Sequence, residues 1–175
     1  MKCSSIFPVV GLLLLIVVSA AFAGCAAQPS VNTYHGKTFS LNYPRDWQIF
    51  DAYKLGKFPE SYRSMMPEVV IFAPSLKYPT PVIIATYVYP ISDPFGKQDA
   101  ELKLDNITQG RGITFSYLTT ITMDGEPAYV YRSYDTYGNA ARNVLLRKGS
   151  SLYYVQGYED EKNLNLLIQS FKSTP

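Results

Sequence analysis

The sequence has few of the residues on which most catalytic and metal sites depend. It contains two cysteines, Cys3 and Cys25, and a single histidine, His35. A zinc site takes three or four protein ligands, mostly Cys and His, and a nucleophile–histidine pair needs a base that a third group orients. His35 begins the first strand-like stretch, where we expect it to be solvated. We therefore predict no catalytic residue, no metal site and no cofactor, and we expect that the protein is not an enzyme.

Charge of either sign is also scarce. The chain has 16 basic and 14 acidic residues, and its net charge is +2. Proteins that bind nucleic acid concentrate basic residues on one face, so we expect no nucleic-acid partner. The densest acidic run, Glu159-Asp160-Glu161, precedes a helical pattern. Carboxylates at that place favour the helix dipole, and a cation site there is the weaker interpretation.

Long apolar runs are missing except for one near the start, Ile6–Ala23. Lys2 precedes this run and the polar residues 26–30 follow it, which is the pattern of a signal peptide. At about 1.5 Å per residue the run nearly spans a bilayer core, so an uncleaved membrane helix is the alternative. No basic cluster follows the run to stop its transfer, and the cleaved signal is therefore favoured.

The end of the run resembles a lipobox, the motif at which signal peptidase II cuts before a lipid-modified cysteine. It reads Phe22-Ala23-Gly24-Cys25. The resemblance implies cleavage between Gly24 and Cys25 and acylation of Cys25, with palmitate among the acyl chains. We expect a lipoprotein on the cell membrane that faces outside the cytoplasm. The chain then divides into a signal peptide at 1–24, a lipid-anchored linker at 25–34 and a folded domain at 35–175.

The folded part shows mainly the alternation of apolar and polar residues that is typical of strands. Val82–Tyr89 is apolar on both faces and is predicted to be central in its sheet. Asp124-Gly125 predicts a type I′ hairpin between two strands. Two helical patterns are present, one at Lys97–Gln109 and one that Asp160 caps, with Leu164, Leu167, Ile168 and Phe171 on one face. Strands interrupted by two amphipathic helices predict an α+β domain with a largely antiparallel sheet.

Three stretches resemble the PsbP family in their order along the chain. Lys37–Trp47 ends in a Tyr-Pro-x-x-Trp pattern, Gly125–Tyr129 reads Gly-x-Pro-Ala-Tyr, and Ser170-Phe171-Lys172 matches the family's terminal helix. The resemblance implies an α/β/α sandwich, in which helices flank a central, largely antiparallel sheet. The family includes an extrinsic subunit of photosystem II and a nuclear-import factor that binds a small GTPase, and these members are not enzymes.

The remaining candidates concern binding. Residues 53–67 form an irregular segment, and we expect Tyr53, Tyr62 and Met65 to contact a membrane-protein partner, together with an exposed sheet edge that carries tyrosine. Packing into the core is the alternative for these side chains. The acidic residues at strand ends, such as Asp51 and Glu68, are expected to be solvated. The function predicted is non-enzymatic partner binding or complex assembly, and the alternative is a lipoprotein that binds a small ligand or a divalent cation.

Overall fold

The computed structural model describes residues 31–76, 82–89, 95–108, 113–158 and 161–174. Its strands are β1 (Val31–His35), β2 (Phe39–Pro44), β3 (Gln48–Asp51), β4 (Glu68–Ala73), β5 (Val82–Val88), β6 (Thr114–Met123), β7 (Glu126–Tyr134), β8 (Ala140–Lys148), β9 (Ser151–Tyr158) and β10 (Lys172–Ser173). The α-helices are α1 (Lys97–Thr108) and α2 (Glu161–Ser170), and a short 3-10 helix covers Glu60–Ser64.

The strands form two sheets, and all the pairings are antiparallel. The large sheet has seven strands in the order β3-β4-β5-β9-β8-β7-β6, and the small sheet has three in the order β1-β2-β10. The central position predicted for Val82–Tyr89 is confirmed, because β5 lies third in the large sheet. The type I′ hairpin is confirmed as well, since Asp124 and Gly125 have φ angles of 50° and 83°.

The predicted α+β architecture, an α/β/α sandwich, is wrong. Helix α1 does cover one face of the large sheet, where Ala100 and Leu104 pack with Tyr131 and Tyr154. The opposite face is covered by the small sheet together with α2, through residues such as Phe39 and Phe171, which stack with ring centroids 5.6 Å apart. The described residues therefore make a mainly β fold of two sheets with two α-helices.

The small sheet arises because both ends of the described chain pair with β2. Strand β1 pairs with β2 along its whole length, from Val31 opposite Pro44 to His35 opposite Ser40. Its first four residues belong to the predicted linker at 25–34, and the described structure places them in a strand. At the other end α2 stops at Ser170, and β10 pairs with β2 instead of extending the helix.

A carboxylate at the hairpin between β6 and β7 holds β10 in place. Asp124 accepts hydrogen bonds from Lys148 Nζ at 2.8 Å and from the Ser173 backbone N–H and hydroxyl at 3.0 and 2.7 Å. Lys172 Nζ lies 3.3 Å from the same carboxylate. Burial opposes ionisation of this carboxyl, but the hydrogen bonds from Lys148 and Ser173 outweigh it and hold the pKa of Asp124 well below its usual range. Asp124 therefore links the β6–β7 hairpin to β10 through hydrogen bonds and ion pairs.

Several predicted features lie outside the described residues, namely Gly24, Cys25 and the Asp160 cap. Within the described part of the chain, the helices are too short or too polar to cross a bilayer.

Candidate functional site

The irregular segment 53–67 connects β3 to β4 and forms a wall of two cavities. It begins with a turn in which Asp51 Oδ1 accepts hydrogen bonds from the Tyr53 and Lys54 N–H groups at 2.9 and 3.3 Å. The short 3-10 helix Glu60–Ser64 lies within the segment. We call the two cavities the polar cleft and the apolar groove, and define each by its lining below.

The structure separates the three predicted contact residues of this segment. Tyr62 and Met65 are 44% and 57% exposed, as a contact surface requires. Tyr53 is only 5% exposed, so its predicted place on that surface is wrong. Its hydroxyl donates to the Met66 carbonyl at 2.5 Å, and the Arg63 guanidinium lies 4.1 Å above its ring. Burial raises the pKa of Tyr53, and the side chain supports the segment from inside.

The polar cleft has a volume of about 530 Å³. Its lining comprises Tyr34, His35, Gly36, Lys37, Ile49, Asp51, Lys54, Arg63, Pro67, Glu68, Val69 and Val70. Arg63 is held by a two-pronged ion pair with Glu60, at 2.7 and 2.9 Å. The cleft therefore contains charges of both signs. Whether it can bind a ligand depends on whether its carboxylates are already hydrogen-bonded within the protein.

Glu68 lies at the base of the cleft, and the expectation that it is solvated is wrong. It is 6% exposed. Its Oε1 accepts hydrogen bonds from the Tyr34 hydroxyl at 2.6 Å and the Lys37 N–H at 3.0 Å. Its Oε2 accepts from the Thr38 N–H at 2.7 Å and the Thr38 hydroxyl at 2.6 Å. Four donors are the usual capacity of a carboxylate, so this group is saturated and serves to hold structure.

These bonds join the two sheets, because Glu68 begins β4 and its donors lie on β1 and in the turn before β2. The turn fits only because residue 36 is glycine, since a Cβ there would lie 2.2 Å from Glu68 Oε1. Burial and the bond to the Glu68 carboxylate raise the pKa of Tyr34 far above its usual range. Glu68 directly precedes the apolar run Val69–Ala73, and this position indicates that it belongs to the buried strand β4. The interpretation of Glu68 as a solvated strand end overlooked that signal.

The apolar groove has a volume of about 360 Å³ and lies between segment 53–67, β5 and α1. Its apolar and aromatic lining comprises Phe58, Tyr62, Met66, Ile83, Ala85, Tyr87, Ile107, Ile113 and Tyr154, and its polar lining comprises Lys103, Asn106, Thr108 and Gln156. Met65 and Val88, both 57% exposed, are joined by a backbone hydrogen bond of 2.8 Å beside the groove residues Met66 and Tyr87. Exposed apolar side chains thus continue the groove onto the surface.

A buried amide fixes the groove wall that the large sheet provides. Asn143 is fully buried, and its Nδ2 donates to Ser133 Oγ at 2.8 Å. Its Oδ1 accepts from the Tyr154 hydroxyl at 2.7 Å and from Gln156 Nε2 at 3.2 Å. Because a satisfied buried network permits few alternative rotamers, Tyr154 and Gln156 form a rigid wall. No sequence motif indicates this network, since its members lie on three different strands.

The predicted tyrosine-bearing sheet edge corresponds to β6. This strand has ten residues, none of them charged. It pairs with β7 on one side, and the described residues place no strand on its other side. Tyr117 and Leu118 are 38% and 40% exposed, at a bulge where the register shifts between Tyr117 and Thr119. A long, uncharged edge that carries exposed large side chains can accept a further strand.

The described residues contain no group of three or more His, Cys, Asp or Glu side chains that could hold a metal ion. His35 lines the polar cleft, and the nearby carboxylates Asp51 and Glu68 already accept hydrogen bonds from the chain.

Three solved structures resemble this chain to different degrees. Cyanobacterial PsbP (CyanoP) from Synechocystis sp. PCC 6803 has a TM-score of 0.56 and 13% identity, covering 86% of this chain and 96% of that one. The Ran-binding protein Mog1p of Saccharomyces cerevisiae has 0.51 and 12%, covering 82% and 96%. LpqN of Mycobacterium tuberculosis, involved in cell envelope biogenesis, has 0.45 and 16%, covering 90% and 97%. No family model and no curated protein matches the sequence. Identities this low establish the fold alone: the chain has the PsbP-like fold.

Proposed function

We propose that this protein is a lipid-anchored accessory domain outside the cytoplasm that binds a membrane-protein partner without catalysing a reaction. The lipobox-like Phe22–Cys25 motif supports the anchor. The PsbP-like fold supports an accessory role, since CyanoP is a PsbP protein of the same arrangement. The short distance between the anchor and the domain supports a membrane-bound partner, because six residues from Cys25 to Val31 extend at most about 20 Å.

The observation that carries the proposal is the open edge of β6. Natural sheets protect their edges with short strands, charged residues or proline, and an edge without them is prone to pair with another chain. The opposite edge of the same sheet, β3, is protected in this way, since it has four residues and ends in Asp51. Strand β6 has ten residues without charge or proline. Addition of a partner's extended segment would satisfy its unpaired backbone groups.

Segment 53–67 supplies the second contact in this proposal. Tyr62 and Met65 are exposed beside the apolar groove. Tyrosine and methionine are enriched in interfaces, and methionine adapts to irregular surfaces. An edge and a separate apolar patch together suit a partner that holds the domain in a single orientation on the membrane.

The test is crosslinking in native membranes followed by mass spectrometry. We expect one membrane protein to crosslink reproducibly, and the crosslinks to be lost when Cys25→Ser removes the anchor. The double variant Leu118→Lys/Thr120→Lys, which adds charge to the β6 edge, should also abolish them. Thr136→Lys is the matched control, because Thr136 is exposed in the turn between β7 and β8 and should leave the crosslinks intact. If the folded native protein crosslinks to nothing specific, the proposal is wrong.

A further inference from the structure

The apolar groove contains one charged side chain, and that charge has no carboxylate partner within the described chain. Of the residues that line the groove, Lys103 alone is charged. The ion pairs of the described residues involve other lysines and arginines. Its ammonium instead lies over two aromatic rings, 5.3 Å from the centroid of Tyr87 and 5.5 Å from that of Tyr89. Cation–π contact holds the ammonium in place and leaves its donors available.

A second cation lies over one of the two rings, outside the lining of the groove. The Arg147 guanidinium lies 5.5 Å from the centroid of the same Tyr89 ring. Lys103 is the charged side chain of the groove itself, and no acidic side chain lines the groove among the described residues. A bound group with a negative charge would find complementary charge here, whereas a cation would be repelled.

The remainder of the groove suits an apolar body. Its volume of about 360 Å³ falls within the range of about 300–1,000 Å³ that is usual for small-molecule sites. Ile83 and Ile107 line it from β5 and α1, and the Asn143 network fixes Tyr154 at its wall. Apolar walls with few polar groups placed to orient the ligand are the common design of such sites.

We propose that the apolar groove binds a small amphipathic anion, with an unbranched apolar chain along Ile83 and Ile107 and a terminal carboxylate at Lys103. The apolar walls of the groove remove the ligand's apolar chain from water, and the ligand's carboxylate accepts hydrogen bonds from the Lys103 ammonium. This site is separate from the β6 edge, although Tyr62 of the proposed second partner contact also lines it. It adds a ligand to the proposed function, and its binding can be measured without the membrane-protein partner.

The test compares three probes of equal chain length, namely octanoate, octanol and octylammonium. Binding to the full lipid-anchored chain in phospholipid nanodiscs is measured by saturation-transfer NMR, with empty nanodiscs subtracted. We expect octanoate to bind most tightly and octylammonium least. Lys103→Gln should weaken octanoate about tenfold, the loss of one charge-assisted hydrogen bond, and leave octanol unchanged. The matched control is Lys162→Gln, since Lys162 is exposed on α2 and does not line the groove.

A second variant tests the chain-binding part of the groove. Ile107→Ser should weaken octanoate and octanol to a similar degree, because both lose the same apolar contact. The proposal is overturned if none of the probes binds, if octanol or octylammonium binds as tightly as octanoate, or if Lys103→Gln has no effect on octanoate. Lys103→Gln should leave the β6-dependent crosslinks intact, so this proposal and the proposed function fail separately.

Discussion

The polar cleft and the apolar groove share segment 53–67 as a wall, but their charged groups are engaged differently. In the cleft the carboxylates are occupied by the protein itself, since Glu68 accepts four hydrogen bonds and Asp51 accepts two. In the groove the one charged lining side chain, Lys103, has no carboxylate partner among the described residues and lies over aromatic rings. The cleft also contains two lysines without an ion pair among the described residues, Lys37 and Lys54, so the difference lies in the engaged carboxylates of the cleft and in the apolar lining of the groove. The cleft carboxylate Glu68 holds the two sheets together, and the groove is the candidate ligand site.

The strongest test of this comparison is Glu68→Ala. The Tyr34 hydroxyl and the N–H groups of Lys37 and Thr38 would lose their acceptor, whereas the Thr38 hydroxyl would keep its hydrogen bond to Thr86 at 2.7 Å. Each buried unsatisfied group costs about 1–3 kcal/mol. We expect the free energy of unfolding to fall by at least about 3 kcal/mol. Urea denaturation followed by the fluorescence of Trp47, the single tryptophan, measures it. Glu68→Gln keeps the shape and should cost less. A loss below about 1 kcal/mol would remove the structural role of the cleft.

The turn over the same carboxylate gives the next largest effect. Gly36→Ala places a methyl group 2.2 Å from Glu68 Oε1, so the turn or the carboxylate must move. We expect a loss of about 2 kcal/mol, typical of overpacking at a rigid site. Gly96→Ala is the matched control, because its added Cβ would meet Asp99 Oδ2 at 3.5 Å, an ordinary contact. Equal urea midpoints for the two variants would contradict the close fit at Gly36.

Asp124, which lines neither cavity, tests whether hydrogen bonds and ion pairs to a carboxylate stabilise the fold in general. The pKa of Asp124 is depressed in the folded state, so its stabilisation is complete above the unfolded pKa of about 3.9 and is lost as the pH falls toward the folded pKa. Asp124→Asn should cost about 1.5 kcal/mol at pH 7. The difference from the native protein should shrink as the pH is lowered below about 4. A difference that does not change with pH would show that charge plays no part.

The smallest expected change in stability distinguishes the buried Tyr53 from the exposed Tyr62, both in segment 53–67. Tyr53→Phe removes the hydrogen bond to the Met66 carbonyl and should cost about 1 kcal/mol in urea denaturation. It should leave the partner crosslinks unchanged. Tyr62→Ala should do the reverse, with a stability change within about 0.5 kcal/mol and weaker crosslinks. If Tyr53→Phe weakened the crosslinks, Tyr53 would contribute to partner binding, contrary to this prediction.

The local elements were predictable, because periodicity and turn chemistry act over a few residues. The Asp124-Gly125 hairpin, the central β5 and the apolar face of α2 all follow from such patterns. The division into two sheets was not predictable, since it depends on which strands pair across the chain. Strand β2 ends at Pro44, and β3 continues in the other sheet only four residues later. The short β1 lies in a polar stretch that also reads as a linker.

The sequence predicted the exposed residues of the candidate site only where an irregular, polar stretch indicates exposure. The irregular segment predicts that Tyr62 and Met65 are exposed. Tyr53 is buried instead, and its hydroxyl donates a hydrogen bond to the Met66 carbonyl, thirteen residues later in the chain. Glu68 reads as a solvated strand end because its donors lie thirty or more residues earlier. The groove likewise joins β5, α1 and segment 53–67, which only the fold brings together.

The register of β1 against β2 sets how the domain responds to mechanical force. Val31, the residue nearest the proposed anchor, is paired with Pro44, from which the chain continues into the large sheet. Tension on the anchor would therefore pull the strands apart at their open end and break their hydrogen bonds one after another, as in a zipper. The opening would proceed toward His35 and meet the bonds from the turn to Glu68. With the proposed anchor in place, separation of β1 from β2 would lengthen the tether, and the hydrogen bonds to Glu68 would limit that extension.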